Sequence, residues 1–288
     1  MAGRFVPENA LRVMLLSLVL LLGAAPDPLV AARPYELVVP QKGSEAARPL
    51  VVLLHGYGSS GHAQDTYFKY SALAQERGFF LALPDGTVNK RGQRFWNATD
   101  ACCGFDSAVD DVAYLTAVVK DVQSRHAVDP KRIFFIGHSN GGFMSHRMAC
   151  ERSELVAAIV SLAGTSWLDK ARCAPSEKVN VLQVHGTADV VIKPEGGALR
   201  KAPYAPLEET VAQWREKNGC GEKRVKAGEN LELVNDLPPG ETQREAFEGC
   251  PTGGAVELWK IKGGPHSPFF RPSWASSTYD WLLAHPKP

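Results

Sequence analysis

Ser139 stands in the run Gly137-His138-Ser139-Asn140-Gly141-Gly142, between a β-branched and aromatic segment at 133–136 and an amphipathic segment at 141–151. A GxSxG pattern at a strand-to-helix crossing is a nucleophile elbow. The tight turn lifts the serine hydroxyl off the carboxyl edge of a sheet, and the glycines let strand and helix approach without an intervening Cβ. A serine hydroxyl is a weak nucleophile until a neighbouring base takes its proton. The pattern therefore calls for a neutral imidazole and a carboxylate to orient it.

Eight histidines compete for the base. Behind this elbow the acid and base follow the nucleophile in the order Ser, Asp or Glu, His, each on a loop after a strand. His55 and His62 come too early, His138 and His146 lie too close to Ser139 in the chain, and His285 closes the last helix. His266 is then the base, after the strand at 256–261 and the turn Gly263-Gly264-Pro265. His185 also follows a strand and is its main rival, although the Gly186-Thr187-Ala188-Asp189 run behind it reads as a structural turn. Asp189 is the acid. Asp169 in an earlier connection and Asp280 inside the last helix are the weaker alternatives.

A tetrahedral intermediate also needs fixed N–H donors aimed at its oxyanion. The amides of Asn140 and Tyr57 are the expected pair, Tyr57 coming from the loop His55-Gly56-Tyr57-Gly58 after an early strand. His55 itself reads as a side chain bracing that loop. Of Phe95, Trp96, Phe105, Trp167 and Phe269, only Trp96 is expected to touch substrate, since aromatic residues otherwise belong to the core.

The elements that must position these residues alternate. Strands are expected at 35–39, 50–54, 79–83, 133–136, 157–162, 179–184 and 256–261, and helices at 108–124, 141–151, 206–218 and 274–284. Such alternation predicts an α/β fold with a mostly parallel central sheet and helices on both faces. The run Leu50-Val51-Val52-Leu53-Leu54 lacks polar alternation, as befits a central strand covered on both sides. The stretch 219–249, rich in Gly, Pro, Glu and Lys, reads as a surface excursion.

With 288 residues, 44% of them hydrophobic and 22% charged, the chain can bury a sizeable single core. The 32 Lys and Arg residues nearly balance 31 Asp and Glu, which leaves no electrostatic footprint for nucleic acid. Six cysteines lack the paired CxxC spacing of a zinc site, so no metal or cofactor is expected. Arg4 and Arg12 precede an apolar run at 13–22 that ends in Gly23-Ala24-Ala25 and reads as a secretory signal. Cleavage after Ala25 or after Ala32 would leave a catalytic domain at 33–288, or one slightly longer. A retained anchor helix is the alternative, but the run is short for a membrane span of roughly 20 residues.

Export makes disulfides plausible. Cys220 is expected to pair with Cys250 and Cys150 with Cys173. Adjacent Cys102 and Cys103 point opposite ways in most backbones, so their partners stay open, with buried free thiols as the alternative.

The ordered set His55-Gly56-Tyr57-Gly58, Trp96-Asn97-Ala98 with Cys102-Cys103, Val128-Asp129-Pro130 with Arg132, the elbow, His185-Gly186-Thr187-Ala188-Asp189 and Gly263-Gly264-Pro265-His266 resembles a known group. That group is the secreted poly(3-hydroxybutyrate) depolymerases and feruloyl esterases, close to carbohydrate esterase family 1. The resemblance spans nearly all of the expected mature chain. It implies an α/β-hydrolase with Ser139, Asp189 and His266 as triad, acting through an acyl-enzyme on hydroxyalkanoate oligomers or on feruloyl or acetyl esters of plant polysaccharide. Ser267-Pro268-Phe269 and Val191-Ile192-Lys193 depart from the family pattern on the substrate side. The expected product is a secreted monomer with an ester substrate as partner; a serine peptidase and a binding protein with a relic site are the rival classes.

Overall fold

Leu50, Val51, Val52, Leu53 and Leu54 are all fully buried, with Leu50, Val52 and Leu54 in one hydrophobic core and Val51 and Leu53 in another. A strand that buries both faces needs helices on both sides of its sheet. The structure, a computed structural model, describes residues 27–41, 46–105 and 107–288 together with Met1 and Gly3. The expected secretory run therefore lies outside the described residues.

The chain runs α1 (Pro28–Ala32), β1 (Glu36–Val38), β2 (Arg48–Leu54), α2 (Gly61–Phe68), α3 (Tyr70–Arg77), β3 (Phe80–Leu83), β4 (Thr87–Val88) and β5 (Arg94–Phe95). It continues through α4 (Asp111–Arg125), β6 (Val128–His138), α5 (Asn140–Glu151), β7 (Ala158–Leu162), β8 (Asn180–Gly186), β9 (Gly197–Leu199) and β10 (Ala202–Tyr204). The last elements are α6 (Leu207–Asn218), β11 (Arg224–Lys226), β12 (Thr242–Phe247), β13 (Val256–Ile261) and α7 (Ser273–Leu283). Among the described residues one sheet has nine strands in the order β1-β3-β2-β6-β7-β8-β13-β12-β11. Strands β3 to β13 in that order pair in parallel, while β1, β12 and β11 add antiparallel edges. One core lies under α1, α4, α5 and α6, and the other under α2, α3 and α7.

All seven expected strands and four expected helices form, most with shifted ends. The stretch 219–249 corrects the sequence reading: it is no mere excursion, because β11 and β12 extend the sheet through ladders between β11 and β12 and between β12 and β13. Its alternation is hard to read because β12 is mostly half-exposed and carries Arg244 and Glu245. Helices α2 and α3 were not anticipated. Each is eight residues long, and Lys69 at φ 63° breaks the segment between them, so neither shows a sustained apolar stripe.

Candidate active site

Strand β6 ends at His138 and α5 starts at Asn140, so the whole reversal falls on Ser139, which adopts φ 53° and ψ −116°. A side chain in this region of backbone space costs on the order of 1 to 3 kcal/mol and persists only where its surroundings over-determine it. Here missing side chains do so. A Cβ on Gly137 would collide with the Gly141 backbone, one on Gly141 with the Leu54 carbonyl, and one on Gly164 with the backbone of Gly142 and Phe143. The Ser139 amide donates to the Leu162 carbonyl at 2.8 Å, locking the turn to β7. Ser139 remains half-buried, open to an incoming group.

Asp189 and His266, 77 residues apart, meet in a 2.8 Å hydrogen bond between Nδ1 of the imidazole and Oδ2 of the carboxylate. Their loops are joined through the backbone. Ala188 N–H donates to Gly264 O at 3.0 Å and Thr187 N–H to Ile261 O at 2.9 Å, while a Cβ on Gly186 would collide with the Gly264 carbonyl. The other carboxylate oxygen of Asp189 accepts the amides of Val191 and Ile192 at 2.8 and 2.9 Å. Burial alone would raise the Asp189 pKa, but hydrogen bonds from His185 and His266 and from the Ile192 amide outweigh it and hold the carboxyl well below the usual carboxylate range. Asp189 is thus a fixed anion behind His266. Neither Asp169, which caps a short turn, nor Asp280, paired with Arg77 at 2.8 Å, takes this place.

His138 meets the His266 loop from the Ser139 side. Its Nε2–H donates to the His266 carbonyl at 3.0 Å, and the two rings lie 5.0 Å apart. Burial, with His266 beside it, pulls the His138 pKa down to about 4, so the ring stays neutral and holds its donor in place. The sequence carries no signal for this contact, since it depends on a fold that returns residue 266 to residue 138.

The loop after β2 passes Ser139 closely: a Cβ on Gly56 would lie 3.7 Å from the Ser139 Cβ. His55 braces this loop, as expected. Its Nε2 accepts the Gly86 amide at 2.9 Å, which leaves Nδ1–H to donate to the Gly56 carbonyl at 2.7 Å. Tyr57 is pinned through its hydroxyl, which donates to Gln93 at 2.9 Å and accepts from Asn89 at 2.8 Å. Asn140 opens α5, and the first amides of a helix have no partner within it. The loop that carries Tyr57 and the first turn of α5, opened by Asn140, therefore both border Ser139.

Trp96 corrects the sequence reading. It is fully buried. Its amide donates to Asn140 Oδ1 at 2.7 Å, its carbonyl accepts from Asn140 Nδ2 at 2.9 Å, and its indole N–H donates to His55 O at 3.0 Å. It ties the loop after β2 to the start of α5 instead. Phe105 is half-buried, and Phe269, three residues after His266, is 66% exposed.

The cysteines pair as Cys150 with Cys173 and Cys220 with Cys250, as expected. Cys102 and Cys103, whose partners the sequence left open, are joined to each other across a cis peptide bond.

Residues 49–189 match a family model described as the alpha/beta hydrolase fold. Feruloyl esterase B of Piromyces equi is 28% identical over 233 residues, covering 77% of this chain and 40% of that protein. Poly(3-hydroxyalkanoate) depolymerase C of Paucimonas lemoignei is 27% identical over 137 residues, covering 46% of this chain and 31% of its own length. The chain thus spans less than half the length of both relatives. The structure of the acetyl xylan esterase from Aspergillus awamori superposes with a TM-score of 0.64 at 18% identity, over 86% of this chain and 92% of that one, and shares its fold.

Proposed function

We propose that this chain, which has the α/β-hydrolase fold, is a serine carboxylic ester hydrolase with Ser139, Asp189 and His266 as its triad. The observation that carries the reading is the 2.8 Å bond between Asp189 and His266, formed beside an elbow that presents Ser139 in a left-handed turn. Ser139 Oγ attacks the ester carbonyl while its proton passes to His266 Nε2. The amides of Tyr57 and Asn140 receive the oxyanion. Collapse expels the alcohol, which takes the proton back from His266 and leaves an acyl-serine. Water, deprotonated by His266, then attacks the acyl carbon; the carboxylic acid departs and Ser139 regains its proton. Asp189 stays ionised throughout and stabilises the imidazolium. No step calls for a metal or cofactor.

Hydroxyalkanoate oligomers are the leading substrate class, and feruloyl or acetyl esters of polysaccharide are the second; the names of the two relatives support each in turn. The test is hydrolysis of p-nitrophenyl acetate and a peptide anilide, then of a 3-hydroxybutyrate trimer and methyl ferulate, by wild type and Ser139→Ala. Ester turnover that vanishes in the variant supports the reading, and the trimer-to-ferulate ratio assigns the class. Cleavage of the anilide alone, or of neither, overturns it.

Secretion belongs to the same proposal, supported by three disulfides and by the leader pattern. Cleavage after Ala25 is the better fit of the two sites. Asp27 caps α1 by accepting the Leu29 amide at 2.8 Å, and α1 buries Val30 in the core, all of which cleavage after Ala32 would discard. Edman sequencing of exported protein decides between them.

A further inference from the structure

Behind Asp189 the interior holds polar side chains that the reaction itself does not use. Trp214 on α6, His146 on α5, and Gln183 and His185 on β8 are all fully buried, and they form an unbroken line. Trp214 Nε1 lies 2.9 Å from His146 Nδ1, and His146 Nε2 lies 2.9 Å from Gln183 Oε1. Gln183 Nε2 lies 3.5 Å from His185 Nδ1. His185 Nε2 lies 2.7 Å from the Ile192 carbonyl and 3.4 Å from Asp189 Oδ2.

The hydrogen positions along this line follow from donor and acceptor chemistry. An indole N–H only donates, so His146 Nδ1 accepts. Burial pulls the His146 pKa down to about 4, so the ring is neutral and its single proton sits on Nε2. That proton needs an acceptor, which turns the Gln183 carbonyl toward His146 and its NH₂ toward His185. His185 Nδ1 must then accept, and its proton is on Nε2, pointing at the Ile192 carbonyl and Asp189. Gln183 also donates to the Gly164 carbonyl at 2.9 Å, and Gly164 is packed against the backbone of Gly142 and Phe143 behind the nucleophile. One amide thus touches both the elbow support and the histidine beside Asp189.

We propose that this one-directional chain, from Trp214 through His146 and Gln183 to His185, sets the tautomer of His185 and thereby the position of Asp189 and its loop. The four are positioning residues, and the inference rests on the role of Asp189 given above. A reversed chain would place a lone pair of His185 Nε2 against the Ile192 carbonyl and the Asp189 carboxylate. That repulsion would push the loop outward and swing the carboxylate away from His266. Removing a link loosens the acid without altering any group that touches substrate, so kcat falls while KM holds.

The experiment combines kinetics on p-nitrophenyl acetate with ¹⁵N NMR of the histidine side chains. In the wild type, His146 and His185 both carry the proton on Nε2. In Gln183→Met, close in shape but with no polar end, His185 exchanges between tautomers and kcat drops about tenfold at unchanged KM, in keeping with the cost of a small misplacement. A wild-type His185 protonated on Nδ1, an unchanged kcat in the variant, or a fallen kcat with His185 still held as Nε2–H each overturns the proposal. Should Gln183→Met not fold, Trp214→Phe keeps the ring system and removes only the leading donor; a loss of about threefold in kcat supports the chain and wild-type kcat overturns it. A wild type without esterase activity removes the proposed reaction, whereas the tautomers still decide the chain.

Discussion

The two sides of the site share close backbone contacts but differ in what places their side chains. The nucleophile turn is fixed by backbone packing: Gly137, Gly141 and Gly164 give up their side chains so that β6, α5, β2 and the loop after β7 can touch. The loops of Asp189 and His266 also share backbone bonds and a close Gly186–Gly264 approach, but their side chains are set by polar groups, through the Asp189–His266 bond, the His138 contact to the His266 carbonyl, and the buried line that ends at His185. Steric exclusion tolerates no added atom and acts over neighbouring residues. A hydrogen-bonded assembly joins residues far apart in the chain and fails gradually as partners are removed.

The largest effect tests what both sides serve. Ser139→Ala should lower ester turnover by about 10⁴-fold or more, because the oxyanion donors and binding alone retain only residual catalysis. An unchanged melting temperature is expected. Near-wild-type turnover in a folded variant would remove Ser139 as nucleophile.

Gly141→Ala probes the steric side. A Cβ against the Leu54 carbonyl has nowhere to go, since the obstacle is the backbone of a central strand. The expected cost is about 3 kcal/mol or more of stability, with the elbow displaced and activity largely lost. Urea unfolding checks it; a stable and active variant would show that the glycines are not what shapes the turn.

Breaking the Cys220–Cys250 bridge in a double Cys→Ser variant should cost about 3 to 4 kcal/mol, from the chain entropy of a loop of this length. The loss falls on the β11–β12 edge that pairs with β13, the strand leading to His266. Stability should therefore drop more than kcat does. Peptide mapping without reduction tests the pairing itself, and free thiols in active exported protein would contradict it.

The most gradual effect, spread over a range of pH, belongs to the polar side. Burial lowers the pKa of His138 and His146 from 6.5 to about 4 in the folded chain. Between those values the unfolded chain binds protons that the folded chain refuses, so stability is present above the higher value and is lost as pH falls toward the lower one. Melting temperature should decline from pH 6.5 to 4, and less steeply in His146→Gln. The depressed Asp189 acts in the same direction further down, below the unfolded carboxylate pKa.

How much of this was legible follows the same division. The elbow was readable from six consecutive residues, because a steric rule about absent side chains is written locally. Asp189 and His266 were readable only through chain order and their places after strands, and β2 through its unbroken apolar run. The extension of the sheet by β11 and β12 was missed, since a half-exposed edge strand need not alternate. Trp96 was misassigned because an aromatic beside a site has the same sequence signature whether it faces substrate or braces the loops.

Residue types and their order by themselves determined the alternating α/β architecture, the serine turn and the chemical class of the groups available to it, because periodicity and glycine placement act through neighbours in the chain. Tertiary structure alone decided that His138 meets the His266 carbonyl, that Cys102 and Cys103 pair with each other, that Trp96 is interior, and that Trp214, His146, Gln183 and His185 form one line. Those outcomes depend on directional contacts between segments tens of residues apart. Such contacts exist only once the sheet has set the separation and orientation of its loops.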